Sequence, residues 1–172
     1  MSTTGHLPVV SLVGKSGVGK TTALERIIAE IKRRGYKVGT IKHDTHGFEI
    51  DTPGKDSWRH AQAGSVAVVI SGPQKMALIR KLDSEMPLDD IVKLMGDVDL
   101  VITEGYKRGD KPKIEVTRRE RGTELLCQPE ELIGIMTDYL VEMPVPQFAL
   151  DDAAGVVTLL EELYLQGAGS NE

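Results

Sequence analysis

A chain of 172 residues can bury one substantial core, and 40% hydrophobic with 27% charged residues is the composition of a globular domain in water. No apolar run approaches the roughly 20 residues that span a bilayer, and the start MSTTGHLP has neither the basic head nor the apolar stretch of a secretory signal. The single cysteine, Cys127, excludes an internal disulfide and any multi-cysteine metal site, so a cytoplasmic protein with no membrane partner is expected.

The formal net charge of −5 is unevenly spread: from Gly122 to the end there are ten acidic residues and no Lys or Arg. Residues 1–121 therefore hold all 21 basic residues against 16 acidic ones. The densest basic stretch, YKRGDKPKIEVTRRER at 106–121, has seven Lys or Arg against three acids. A segment that meets phosphates or an acidic partner and a plain solvated strand-and-loop face are both open readings. The acidic balance and the lack of a recognised nucleic-acid motif argue against a nucleic-acid partner.

In chain order, the β-branched run Val9–Val13 predicts a strand buried on both faces. Leu24, Ile27, Ile28 and Ile31 recur at helical spacing, and Gly35 supplies the stop. Val38–Ile41 is the next strand, which makes a parallel strand–loop–helix–strand unit. Residues 42–58 are polar and turn-rich, a loop over the carboxyl edge of a sheet, followed by a short helix Ser57–Ala63 ended by Gly64. SVAVVIS (65–71) and KMALIRK (75–81) flank GPQ as a hairpin. A helix over Pro87–Met95 precedes the apolar strand DVDLVITEG (97–105), and Lys113–Thr117, Leu132–Thr137 and Val145–Phe148 are further strands. Asp151 or Asp152 caps a last helix through Gln166, with Val156, Val157, Leu159, Leu160 and Leu163 on its apolar face. With the glycine loop GKSGVGKT between the first strand and helix, the expected fold is an α/β P-loop NTPase: a mostly parallel twisted sheet flanked by helices, with an added hairpin or antiparallel strands. It fills a single domain over 1–166, with a loose tail at 167–172.

Gly14, Gly19, Lys20 and Thr21 complete G-x-x-x-x-G-K-[ST] between the first strand and helix, the context the motif needs. Backbone N–H groups of such a loop curl around phosphate oxygens at the positive end of a helix dipole. Gly14, Lys15, Ser16, Gly17, Val18, Gly19, Lys20, Thr21 and Thr22 are the candidate nucleotide-binding residues. Lys20 would bridge the β- and γ-phosphates and Thr21 would ligate Mg²⁺. KSGVGKT is also similar to the KGGxGKT loop of the deviant P-loop ATPases, with Ser16 in place of the first glycine. Lys15 is therefore read as a second cation near the phosphates.

A Mg²⁺–triphosphate needs a carboxylate at the end of a second apolar strand, and Glu104 in DLVITEG supplies one. A glutamate followed by glycine here is similar to dethiobiotin synthetase, whose glutamate binds Mg²⁺. Asp51 and Asp56, bracketing TPGK, are further candidates for metal or water positioning, and Asp51, Asp56 and Glu104 are the candidates for any catalytic role. The guanine reader N-K-x-D is absent, since the only asparagine is Asn171. Asp138 is open as an acceptor for the guanine N1–H and amino group, or as a plain turn residue. His43 and His46 suit a substrate- or phosphate-contacting loop better than a zinc site, which needs a third ligand.

GKSGVGKTT, GTIKHDTHGFEIDTPGKDSWRHAQAG, VITEGYK and KIEVTRRE occur together, in this order. Over about Val9 to Phe148 the combination resembles the MobB family of molybdopterin-guanine dinucleotide biosynthesis adaptors. The phosphate loop is generic; the histidine-and-PGKDS loop and EGYK…PKIEV are the specific parts. The resemblance implies a homodimeric GTP-binding protein of the branch that holds nickel-insertion GTPases and dethiobiotin synthetase. Such a protein acts beside the guanylyltransferase that joins GMP to molybdopterin, with GTP and Mg²⁺ as cofactors and molybdopterin as a further candidate ligand. Gly17, Gly19, Lys20, Thr21 and Thr22 then hold the triphosphate; Asp51, Pro53, Gly54, Lys55 and Asp56 match the family's loop; and Glu104 is its Mg²⁺-side carboxylate. Lys42, His43, His46, Lys55, Lys107 and Arg118 are candidate substrate or partner contacts.

No arginine-bearing lid is evident beside the phosphate loop. Arg118, Arg119 and Arg121 follow a strand and are assigned to a partner or to the pterin phosphate. A slow GTPase whose bound state serves a partner is the expected activity. The alternatives are a small-molecule kinase or ligase of the dethiobiotin-synthetase type and a metallochaperone GTPase using His43 and His46.

Overall fold

The computed structural model describes residues 6–165; Gln166 and the expected tail at 167–172 lie outside them. In chain order the elements are β1 (Val9–Val13), α1 (Lys20–Arg33), β2 (Val38–Lys42), α2 (Asp56–Gln62), β3 (Ala67–Ser71), β4 (Met76–Arg80) and α3 (Leu88–Val92), which runs into a 3₁₀ turn over Lys93–Met95. There follow β5 (Leu100–Glu104), β6 (Lys113–Val116), β7 (Leu132–Thr137), β8 (Gln147–Ala149) and α4 (Ala153–Leu160). They form two compact units, one from the chain up to His43 and from Met95 onward, the other from Asp44–Leu94.

The first unit holds a six-stranded sheet in the order β2-β5-β1-β6-β7-β8, every neighbouring pair parallel. All five residues of β1 are buried, as a central strand covered on both faces requires. Its one hydroxyl, Ser11, is buried without loss because Thr103 Oγ1 of β5 donates to Ser11 Oγ at 2.9 Å. On α1 the buried residues Ala23, Leu24, Ile27 and Ile31 make one apolar stripe, which joins Val156, Val157 and Leu160 of α4 and the inner residues of the sheet in one core. Asp152 is the residue that caps α4, its Oδ1 accepting from Gly155 N at 2.9 Å.

The apolar face of that helix departs from expectation at one place. Leu163 is 49% exposed, because the turn Glu161–Leu165 widens to π spacing. The widened turn rotates the chain so that Leu165, five positions after Leu160, takes the buried place. Arg34 at the end of α1 ties the two helices: it donates to Glu30 Oε1 at 2.7 Å, Thr158 Oγ1 at 3.0 Å and the Ala154 carbonyl at 2.8 Å, and it pairs with Glu161. The hydrogen bonds from Arg33 and then Arg34 hold the Glu30 carboxyl at about 2.

In the second unit β3 and β4 pair antiparallel as the expected hairpin, with Val69 opposite Leu78 and Ile70 opposite Ala77. Among its described hydrophobic residues only Val68 and Val92 are buried, and α2 buries none. No helix among the described residues is long and apolar enough to cross a membrane.

Candidate functional site

The carboxyl end of β1 opens into the phosphate loop between β5 on one side and β6 on the other. Gly14 is obligatory there: its φ is +153°, and a Cβ would stand 2.4 Å from the carbonyl oxygen of Val116 at the end of β6. Val18 is buried and anchors the middle of the loop in the core, while Ser16, Gly17, Thr21 and Thr22 face outward. Lys20 folds back over the loop, its Nζ donating to the carbonyls of Lys15 at 2.9 Å and Gly14 at 3.1 Å. Burial, and then the positive charge of Lys107, hold the Lys20 ammonium below the usual lysine value, while Glu104 acts the other way.

On the β5 side the expected metal pair meets. Thr21 Oγ1 donates to Glu104 Oε1 at 3.0 Å, although 83 positions separate the two residues. Parallel pairing of β5 with both β1 and β2 brings this about, with Leu12 and Lys42 in register with Glu104. The loops after β2 and β5 lock together beside it. His43 N donates to the Glu104 carbonyl at 3.0 Å, and the His43 ring stacks on Tyr106, centroids 4.3 Å apart and planes 18° apart. Tyr106 accepts a left-handed backbone, φ 54°, to make this stack. Lys42 and Lys107 are exposed on the same rim.

On the β6 side two of the three arginines that follow the strand come up to the loop, a placement the sequence pattern did not give. Arg118 Nε donates to the Val18 carbonyl at 2.8 Å. Its terminal nitrogen lies 3.5 Å from where a Cβ on Gly19 would stand, and that of Arg121 lies 3.1 Å from the Cβ place on Gly17. Lys15 Nζ reaches the Arg121 carbonyl at 3.4 Å. Arg119 takes a different course, its guanidinium 5.2 Å above the Tyr139 ring and its backbone N–H on Asp138 Oδ1 at 2.9 Å. Sequence reasoning missed Glu115, a buried carboxylate in β6 that accepts from Leu126 N at 2.8 Å and Cys127 N at 3.1 Å. Its only signal was a second charged residue, after Lys113, in a strand whose other two residues are apolar.

The remaining candidates, His46, Asp51, Lys55 and Asp56, belong to the second unit. Asp51 Oδ1 accepts from Thr52 N at 2.8 Å and Ser57 Oγ at 3.1 Å, and its Oδ2 is buried with no hydrogen-bond partner. His46 N caps onto Asp44 Oδ1 at 2.8 Å. Lys55 and Asp56 are exposed at the start of α2. Among the described residues no three His, Cys, Asp or Glu side chains gather where they would enclose a metal ion.

A parallel α/β sheet whose first strand opens into G-x-x-x-x-G-K-T, with the loop threonine on a strand-end carboxylate, defines a P-loop NTPase fold. The model of the family described as molybdopterin guanine dinucleotide synthesis protein B matches residues 9–138, and the chain belongs to this MobB family. A molybdopterin-guanine dinucleotide biosynthesis adapter protein of Haemophilus influenzae is 34% identical over 140 residues, covering 80% of this chain and 79% of the relative. The Escherichia coli K12 protein of the same name is 31% identical over 170 residues, covering 91% and 93%. The crystal structure of Bacillus subtilis MobB superposes with a TM-score of 0.72 at 27% identity, covering 91% of this chain and 98% of that one.

Proposed function

We propose that this chain is a GTP-binding adapter in molybdenum cofactor biosynthesis. It holds GTP with Mg²⁺ on the loop 14–22 and assists the guanylyltransferase that converts molybdopterin to molybdopterin-guanine dinucleotide. The observation that carries the reading is the 3.0 Å approach of Thr21 Oγ1 to Glu104 Oε1 at the mouth of the phosphate loop. Two cis ligands of octahedral Mg²⁺ stand about 2.9 Å apart, given metal–oxygen bonds of about 2.0–2.1 Å, so the pair fits that ion. Thr21 and Glu104 would hold it, and phosphate and water oxygens would complete its shell. The chemistry the ion would supply there is neutralisation of phosphate charge. Lys20 adds a second positive charge, and the outward N–H groups of the loop orient the phosphate chain.

Hydrolysis is assigned a slow rate. The two arginines that reach the loop lie on its β6 side, across β1 from the metal pair, so they do not flank the γ-phosphate end. Guanine preference is assigned to Asp138, which stands exposed at the carboxyl end of β7 on the same sheet edge as the loop. A second copy of the chain is assigned to the hairpin. A two-stranded pair is marginal by itself in water, and Val69, Ile70, Met76 and Leu78 are exposed along β3 and β4.

The test measures GTP and ATP affinity and phosphate release, with and without guanylyltransferase and molybdopterin. Lys20→Ala is expected to weaken GTP binding by roughly a hundredfold and to remove stimulation of the guanylyltransferase. Full stimulation by that variant would mean that nucleotide binding is no part of the role. Rapid transfer of the γ-phosphate to an added small acceptor would favour the kinase or ligase reading instead.

A further inference from the structure

Strand β6 lies directly against β1, and the segment that follows it crosses the phosphate loop before the chain returns towards β7. This segment, residues 117–127, is held at both ends. Thr117 N donates to the Met136 carbonyl at 2.9 Å, Thr117 Oγ1 meets Tyr139 Oη at 3.1 Å, and Arg119 N donates to Asp138 at 2.9 Å. A 3₁₀ turn over Arg119–Arg121 then points Arg118 and Arg121 to the same side. The returning arm is pinned by Glu115, whose two carboxylate oxygens each take one backbone N–H, from Leu126 and Cys127. The arginines are thus presented by a fixed loop, and little ordering remains to be done when an anion arrives.

Charge makes the arrangement unusual. Lys15, Lys20, Arg118 and Arg121 crowd the rim of one glycine loop. Among the described residues neither guanidinium is in an ion pair, and the acids of the segment itself, Glu120 and Glu124, pair with neither. Like charges so placed repel one another, and a multiply charged anion in the loop relieves that cost. The glycines leave both guanidinium groups room against the loop. A side chain at Gly17 or Gly19 would occupy the space beside each guanidinium. The metal pair Thr21–Glu104 lies on the opposite side of β1, so anything the arginines touch is away from the γ-phosphate and its ion.

We infer that Arg118 and Arg121 form a built-in cationic strap that contacts the phosphate chain of the bound nucleotide on its β6 side, at phosphates that di- and triphosphate share. The inference rests on the nucleotide-binding reading above. It makes Glu115 a positioning residue, acting only through the loop that carries the arginines.

The experiment is calorimetric titration of the full chain with GDP and with GTP, in Mg²⁺. Arg118→Ala and Arg121→Ala are each expected to weaken both nucleotides by about tenfold and to flatten the salt dependence of binding. Arg26→Ala, the same change of charge on the exposed face of α1, is expected to alter neither. Far-UV circular dichroism and thermal unfolding check that each variant is folded, Arg121 being exposed and Arg118 half-buried. Three results would overturn the strap: unchanged affinity in both arginine variants, a loss confined to GTP, or unchanged nucleotide affinity with loss of guanylyltransferase stimulation. The last would give the arginines to the partner or the pterin phosphate. Wild-type protein that bound neither nucleotide would instead sink the nucleotide reading, and the strap with it.

Discussion

The two units of this chain treat their hydrophobic residues in opposite ways. In the first, Ile27, Ile31, Leu100, Ile135 and Leu160 are all but inaccessible, and even polar residues inside it, such as Ser11 and Thr103, are matched to each other. In the second, Phe48, Ile50, Val66 and Met76 are all at least 65% exposed, and the only sheet is a two-stranded hairpin. The first unit therefore has a packed core on which the loop 14–22 is seated. The second lacks a core of its own, and its exposed strands are suited to be covered by something else. The proposed nucleotide site therefore goes with the first unit and the proposed dimer contact with the second.

The most forceful way to break this contrast is to cut one apolar side chain in each unit. Ile31→Ala removes a fully buried side chain from the contact of α1 with α4 and the sheet, and is expected to cost about 2–5 kcal/mol in denaturant unfolding. Ile70→Ser or Leu78→Ser on the hairpin should stay within about 0.5 kcal/mol for the isolated chain. The hairpin variants should instead shift the protein from dimer to monomer in sedimentation. Equal losses of stability in the two units would show that the exposed strands are part of one core, and the contrast would be wrong.

A smaller effect tests whether the chemistry sits where the rigidity is. Glu104→Gln keeps the shape of the side chain facing Thr21 and removes its charge. The Mg²⁺-dependent part of GTP affinity is expected to fall by about tenfold, roughly 1.4 kcal/mol, with binding in the presence of chelator unchanged. Titration of each form with and without metal reads the difference directly. A variant that kept its full metal dependence would show that Glu104 is not the carboxylate that holds the ion.

How much of this could be read along the chain follows from how local each signal is. The loop 14–21 and its flanking strand and helix are contiguous, and β7 falls on Leu132–Thr137, the span its apolar run predicts. The place of Glu104 at the end of a strand was also legible, since it closes the apolar run that forms β5. The arginines were not. Arg118 and Val18 are 100 positions apart, and only the strand order, which puts β6 beside β1, brings them together. Residue spacing carries no information about that order. Glu115 was hidden for a related reason: a charged residue in a strand is read as surface, and its two backbone partners arrive from a loop that periodicity cannot place. Leu163 failed differently, because the helical period was carried through a turn that widens.

The smallest effect concerns the first unit alone and is read by pH. Arg33 and Arg34 lower the Glu30 carboxyl from its ordinary 4.5 to about 2, so the folded state favours the charged carboxylate more than the unfolded chain does. The folded protein then binds fewer protons than the unfolded one between those values. Stability from this cluster is present in full above about pH 4.5 and is lost as pH falls towards 2. Comparing Glu30→Gln with wild type by thermal unfolding, the gap in stability is expected to be widest near neutrality and to close across that acid range. Since Arg34 also spans to Thr158 and Glu161 on the last helix, the lost protection should appear in hydrogen exchange at α1 and α4. The hairpin of the second unit carries no such cluster, and its exchange should follow the intrinsic pH dependence alone. A gap that stayed constant from pH 7 to pH 2 would mean that the arginines stabilise the helices by packing of their stems rather than through the Glu30 charge.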